Sequence, residues 1–247
     1  MTDSIKQYQN LHLWILAILI LMQISLSVDY WGKFSRVIWP IHIHFWSVCL
    51  WYIYLILQPY WATHGQLEKH RTQGIIGMFI AGGVAITALA LSYRAIQIVQ
   101  LLAGAPERFA PITPEFVYGI LTAEVIMMFA FTYAVYKGIV LRKQLHEHAW
   151  WLACSGFIMM FPGFSRGFFY LWFELHADVM PNVSAAAPVY IAVILIICLL
   201  LVFAYQYKRL THPATYLTIA VNLIATQTMM IGSIATWQSF LQALIKV

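Results

Sequence analysis

LRKQLHEHAWWLACSGFIMMFPGFSRGFF (residues 141–169) changes its solvent partway along. It opens on Arg142, Lys143, His146, Glu147 and His148, a basic, histidine-rich edge. It then runs apolar for about the 20 residues that cross a bilayer. Arg166 nevertheless lies deep inside that run, about seven residues or roughly 10 Å from its far end at 1.5 Å per residue. A guanidinium at such a depth needs a partner, because an unpaired charge in lipid costs at least a few kcal/mol.

The composition agrees with this reading. Hydrophobic residues make up 62% and charged residues 9% of 247, whereas a soluble domain carries about 25% charged residues. The chain is therefore expected to be all-α, a polytopic helical bundle of about seven spans. The formal charge of +5 does not point to nucleic acid, since the 14 Lys and Arg are scattered between apolar runs. The first apolar run is read as a full span and not as a cleaved leader. Cys49, Cys154 and Cys198 all fall in spans and are expected to pack as small apolar residues.

The expected spans are 11–28, 41–62, 74–93 with an amphipathic extension, 116–136, 149–173, 188–207 and 214–240. They form one transmembrane domain over 1–247, with a core bundle at about 40–175 and spans 11–28, 188–207 and 214–240 at the periphery. With the N-terminus inside, the inner segments hold Lys6, Lys69, Arg71, Lys137, Arg142, Lys143, Lys208 and Arg209. The outer ones hold Lys33, Arg36, Arg94, Arg108 and Lys246. This bias predicts an N-in, C-out arrangement in a bacterial inner membrane.

Glu124 lies roughly 12 Å from the outer end of its span, which brings it level with Arg166. A buried Glu124–Arg166 ion pair follows, either as an inert tie between helices or as the floor of a polar cavity. Ser165, Asn222 and Gln227 are further candidates to line such a cavity. Pro162 frees a carbonyl one turn earlier, and Gly163 and Gly167 permit close helix approach.

The histidines sort by side. His12, His64, His70, His146, His148 and His212 fall near the inner surface, and His42, His44 and His176 near the outer. His146 and His148 are two apart and point to nearly opposite sides of a helix. His70 and His148 each open a span on the inner side, and those spans run in the same direction.

These motifs resemble a family of uncharacterised bacterial membrane proteins, a domain of unknown function. The resemblance covers about residues 40–170. It rests on His42 or His44, on His70, Arg71 and Gly74, and on His148 and Trp151 with Ser155 seven and Arg166 eighteen residues after His148. Cys154 stands where the family pattern carries an arginine. The resemblance implies a membrane bundle and gives no reaction.

Four functions are weighed. A redox protein that interacts with b-type haem or with quinone would use His70 and His148, or at an outer site His44 and His176, as ligands and Arg166 for propionates or a quinone oxygen. A proton-coupled carrier would use Glu124 and Arg166 beside a proline-broken helix. A membrane metalloenzyme would hold zinc on His64, His70 and His148. The fourth is an accessory subunit of a membrane complex, with no cofactor. The expected partners are the lipid bilayer and a quinone or redox partner, with the oligomeric state open. No lysine in the seventh span is available for a retinal Schiff base.

Overall fold

The computed structural model describes residues 3–245, and among these every regular element is helical. Lys246, counted above on the outer side, lies outside the described residues. The elements are α1 (Asp3–Lys6), α2 (Leu11–Ser25), α3 (Trp39–Thr63), α4 (Leu67–Gly104), α5 (Pro106–Phe109), α6 (Pro114–Val140), α7 (Leu145–Ile158), α8 (Met160–Leu175), α9 (Ala187–Gln206), α10 (Pro213–Ala225), α11 (Thr228–Gly232) and α12 (Ala235–Ile245). Four of them, α3, α4, α6 and α9, are long and apolar enough to cross a membrane. Helices α2 and α10 are shorter apolar helices.

Local chemistry sets the ends. Pro40, Pro106, Pro114, Pro188 and Pro213 stand in first turns, where a missing N–H costs nothing. Thr113 caps α6 by accepting from the Phe116 N–H at 3.3 Å. The turn from α3 to α4 passes through Gly65 at φ 79°, a left-handed conformation that favours glycine. The expected fifth span is broken into α7 and α8 at Met159. Pro162 has no N–H to give the Ile158 carbonyl and crowds it, and at the end of α7 the Met159 N–H is shared between the Ser155 and Gly156 carbonyls.

Helix α6 is the hub and packs against α4, α7, α10 and α11. The expected division into core and periphery is redrawn. Ile196, Leu200, Phe203 and Ala204 of α9 are fully buried, as are Ile15 and Ile18 of α2 to within 2%. Helix α4 instead turns Phe79 and Ile86 outward, at 77% and 70% exposure. In lipid an apolar side chain serves the outer face as well as the core, so hydropathy does not separate the two. The expected seventh span is three pieces, α10, α11 and α12, jointed at Thr226–Gln227 and Ser233–Ile234.

His212 precedes Pro213 and caps α10. Its Nδ1 accepts the Ala214 N–H at 3.1 Å while Nε2 donates to Glu147 Oε2 at 3.1 Å. Burial holds the His212 pKa below the usual 6.5, against the opposing pull of the Glu147 carboxylate. Above about 6.5 both folded and unfolded chains carry a neutral imidazole. Below it the unfolded chain takes a proton that the folded one resists, so stability falls with falling pH down to the folded pKa. Asparagine caps helices well and does not titrate. Thermal unfolding of His212→Asn in detergent is therefore expected to fall less between pH 7.5 and 5 than that of the wild type. Parallel slopes would show that His212 does not titrate with folding.

Candidate functional site

A cavity of about 200 Å³ opens between α2, α3, α4, α6 and α8 in the half of the bundle away from most histidines. Its walls are apolar, including Met22, Leu26, Val48, Met127 and Met128, and its polar groups are Asp29, Tyr30, His44, Ser92, Glu124 and Arg166. Three residues singled out in the sequence, His44, Glu124 and Arg166, thus share one chamber.

Helix packing explains how Arg166 arrives there. Gly163 and Gly167 are four apart on α8 and let it lie against the end of α2, where a Cβ on Gly167 would strike the Ser25 backbone. The Ser25 hydroxyl donates to the Gly163 carbonyl across this contact at 3.2 Å. Beyond α2 the chain makes a single π-helical turn, Ser27–Trp31, a geometry frequent at functional sites. That turn presents Asp29 and Tyr30 to the cavity.

The direct ion-pair contact of Arg166 is therefore with Asp29, at 4.0 Å, and Asp29 also meets Lys33 at 3.9 Å. Glu124 shares the cavity but, among the described residues, makes no ion pair within 4.0 Å and accepts no hydrogen bond. The expected buried Glu124–Arg166 pair is corrected accordingly, and the arginine side chain is 45% exposed. Arg166 stays within electrostatic reach of both Glu124 and His44. The sequence reading missed Asp29 and Tyr30 because DYWGKF looks like an interfacial loop, and nothing in its pattern announces a π turn.

His44 is held by a relay. The Thr87 hydroxyl donates to the Gly83 carbonyl at 2.7 Å, so it accepts from His44 Nδ1–H at 2.9 Å. Nε2 of His44 is left as an acceptor with no partner among the described residues. His42 pairs instead with the Tyr30 hydroxyl at 2.7 Å, and His176 turns to its own helix at the Trp172 carbonyl. Ser165, Asn222 and Gln227 do not line the cavity. Each spends a hydrogen bond on a residue three, four or one position before it: Pro162, Thr218 and Thr226.

At the other end of the bundle the His70 and His148 rings meet with centroids 6.1 Å apart and planes at 84°. His70 Nδ1 donates to the Gln58 carbonyl of α3 at 3.2 Å, and His148 Nδ1 to the Gly138 carbonyl of α6 at 2.7 Å. His64, the third member of the expected zinc set, is elsewhere. Its Nδ1 bonds the Tyr60 carbonyl at 2.8 Å and its ring packs on His12. The turn at Gly65 separates it from His70, and among the described residues no three metal-ligating side chains gather. His146 faces the opposite way from His148 and meets the Tyr8 hydroxyl at 3.0 Å.

No protein-family model, curated protein or solved structure matches the chain. The functional reading therefore rests on the geometry.

Proposed function

We propose that the chain is a multi-pass protein of a cytoplasmic membrane that binds a neutral, oxygen-headed amphiphile of the quinone and quinol class in the cavity of Glu124, His44 and Arg166. The broken pair α7–α8, the short α2 and the jointed α10–α12 join the four long helices to give seven crossings, and the lysine and arginine bias sets the N-terminus inside. The observation that carries the ligand class is the pairing of an apolar chamber with two acceptors that lack partners among the described residues and with a guanidinium that Asp29 engages only in part. Glu124 and His44 Nε2 are free to accept from the two hydroxyls of a quinol. Arg166 retains N–H groups for a quinone carbonyl. Among the lining groups the Arg166 guanidinium is matched by its ion-pair partner Asp29, so an anionic head gains little net attraction. The methionine and aliphatic walls suit an apolar tail.

A second reading, a proton-coupled carrier, draws on the break at Met159, because discontinuous helices mark substrate paths. One experiment separates the two. A short-tailed benzoquinone and its quinol are titrated into detergent-purified protein and read by quenching of tryptophan fluorescence. Saturable binding is expected, with Glu124→Gln weakening the quinol about tenfold or more, as loss of one charge-assisted hydrogen bond implies, and weakening the quinone less. Absence of saturable binding, together with proton movement in proteoliposomes, would replace this reading by the carrier.

A further inference from the structure

We infer that His70 and His148 form a two-imidazole site for monovalent copper at the histidine-rich end of the bundle. The first support is how the rings are held. A metal-ligating histidine nearly always donates its other ring N–H to a carbonyl or carboxylate, which fixes the tautomer and aims the lone pair. Both rings do this, and each uses a carbonyl of a neighbouring helix and not of its own. Each Nε2 is left as an acceptor without a partner among the described residues.

The second support is spacing. Two imidazoles joined through an ion at about 2.0 Å per bond place their centroids roughly 5 to 6.4 Å apart, the upper end belonging to a near-linear arrangement. The observed 6.1 Å lies near that upper end. The perpendicular planes are allowed, because each ring turns freely about its metal–nitrogen bond.

The third support concerns which ion. Imidazole donors suit copper and zinc, whereas calcium and magnesium demand oxygen. Zinc sites generally supply three or four protein ligands, and here two come together with no third histidine, cysteine or carboxylate among the described residues. Arg71 and Arg142 lie within electrostatic reach of the rings and penalise a doubly charged ion more than a singly charged one. A monovalent ion content with two nitrogen donors meets both conditions.

The test uses the full chain in detergent, with Cys198→Ser as background because that thiol is exposed. Copper(I) is supplied from a chromophoric chelator, and zinc from a zinc indicator in parallel. One equivalent of copper(I) is expected, with an X-ray absorption edge and shell fit showing two nitrogen neighbours. His70→Asn and His148→Asn each keep an N–H for the Gln58 or Gly138 carbonyl while removing the imidazole. Each is expected to weaken copper by at least 100-fold, with an unchanged elution profile on size exclusion. His64→Asn should leave it intact. The inference is overturned if the two asparagine variants bind copper as the background does, if His64→Asn abolishes binding, or if zinc binds in preference to copper.

Discussion

Valine at Gly119 or at Gly232 is expected to abolish recovery of monodisperse protein. Gly119 on α6 and Gly232 on α11 lie where two backbones touch. A Cβ on Gly119 would fall on the Thr228 carbonyl, and one on Gly232 on the Glu115 carbonyl. Backbone cannot swing aside as a side-chain tip can, so the cost should reach or pass the upper end of the usual overpacking range, about 1–3 kcal/mol. Glu124 is five residues along α6 from Gly119, so whatever separates α6 from α11 also disturbs the cavity. Gly82 and Gly83 supply the control, since a Cβ at either meets open space. Gly82→Ala should be neutral or slightly stabilising, because glycine inside a helix costs up to about 1 kcal/mol relative to alanine. Fluorescence-detected size exclusion and thermal melting of the three variants decide the matter. A Gly119→Val protein that elutes and melts like the wild type would mean that α6 and α11 do not meet as described.

How much of this could be read from the sequence depends on what each residue had to say alone. The helical class follows from composition. The break in the fifth span follows from Pro162, whose effect on the preceding turn is local. The meeting of the His70 and His148 rings follows from two helix starts at one depth, and the placing of Glu124 and Arg166 in one cavity from their common depth at the other end, whereas His44, which reads as lying near the outer surface, is not grouped with Glu124 by the sequence. The partner of Arg166 was not legible. Asp29 reaches the cavity only because the chain after α2 makes a π turn and because Gly163 and Gly167 draw α8 against Ser25, and neither contact leaves a periodic trace. The separation of His64 from His70 was hidden as well. Six residues apart in sequence, they are divided by a reversal at Gly65, and His64 ends one helix while His70 begins the next. The burial of α9 and the exposure of α4 were illegible for a different reason. Where lipid replaces water, the face that meets the solvent is as apolar as the face that meets the core.

Alanine at Trp150 is expected to have the other large effect, about 3–5 kcal/mol of lost stability. The side chain is fully buried and stacks on Phe203 of α9, with centroids 4.7 Å apart and planes at 12°. Its Nε1 donates to the Thr215 hydroxyl of α10 at 2.9 Å, which in turn donates to the Arg209 carbonyl at 2.8 Å. One residue thus ties α7 to both α9 and α10. The loss persists in a membrane, where it is a loss of close contact and not of water exclusion, because a void left inside the bundle has no atoms to replace those removed. Trp150→Phe separates the two contributions. It keeps most of the stacking and removes the donor, while Thr215 keeps its bond to Arg209, so a cost of about 1 kcal/mol is expected. Trp150 is two residues after His148, and the same packing sets the start of α7 and hence the reach of His148 to Gly138. Alanine should therefore also weaken copper at the His70–His148 site, whereas phenylalanine should leave it near the wild-type affinity. If alanine lowers the melting temperature but copper is held unchanged, Trp150 stabilises the bundle without positioning His148. If neither variant moves the melting temperature, the described packing of α7 on α9 and α10 is wrong.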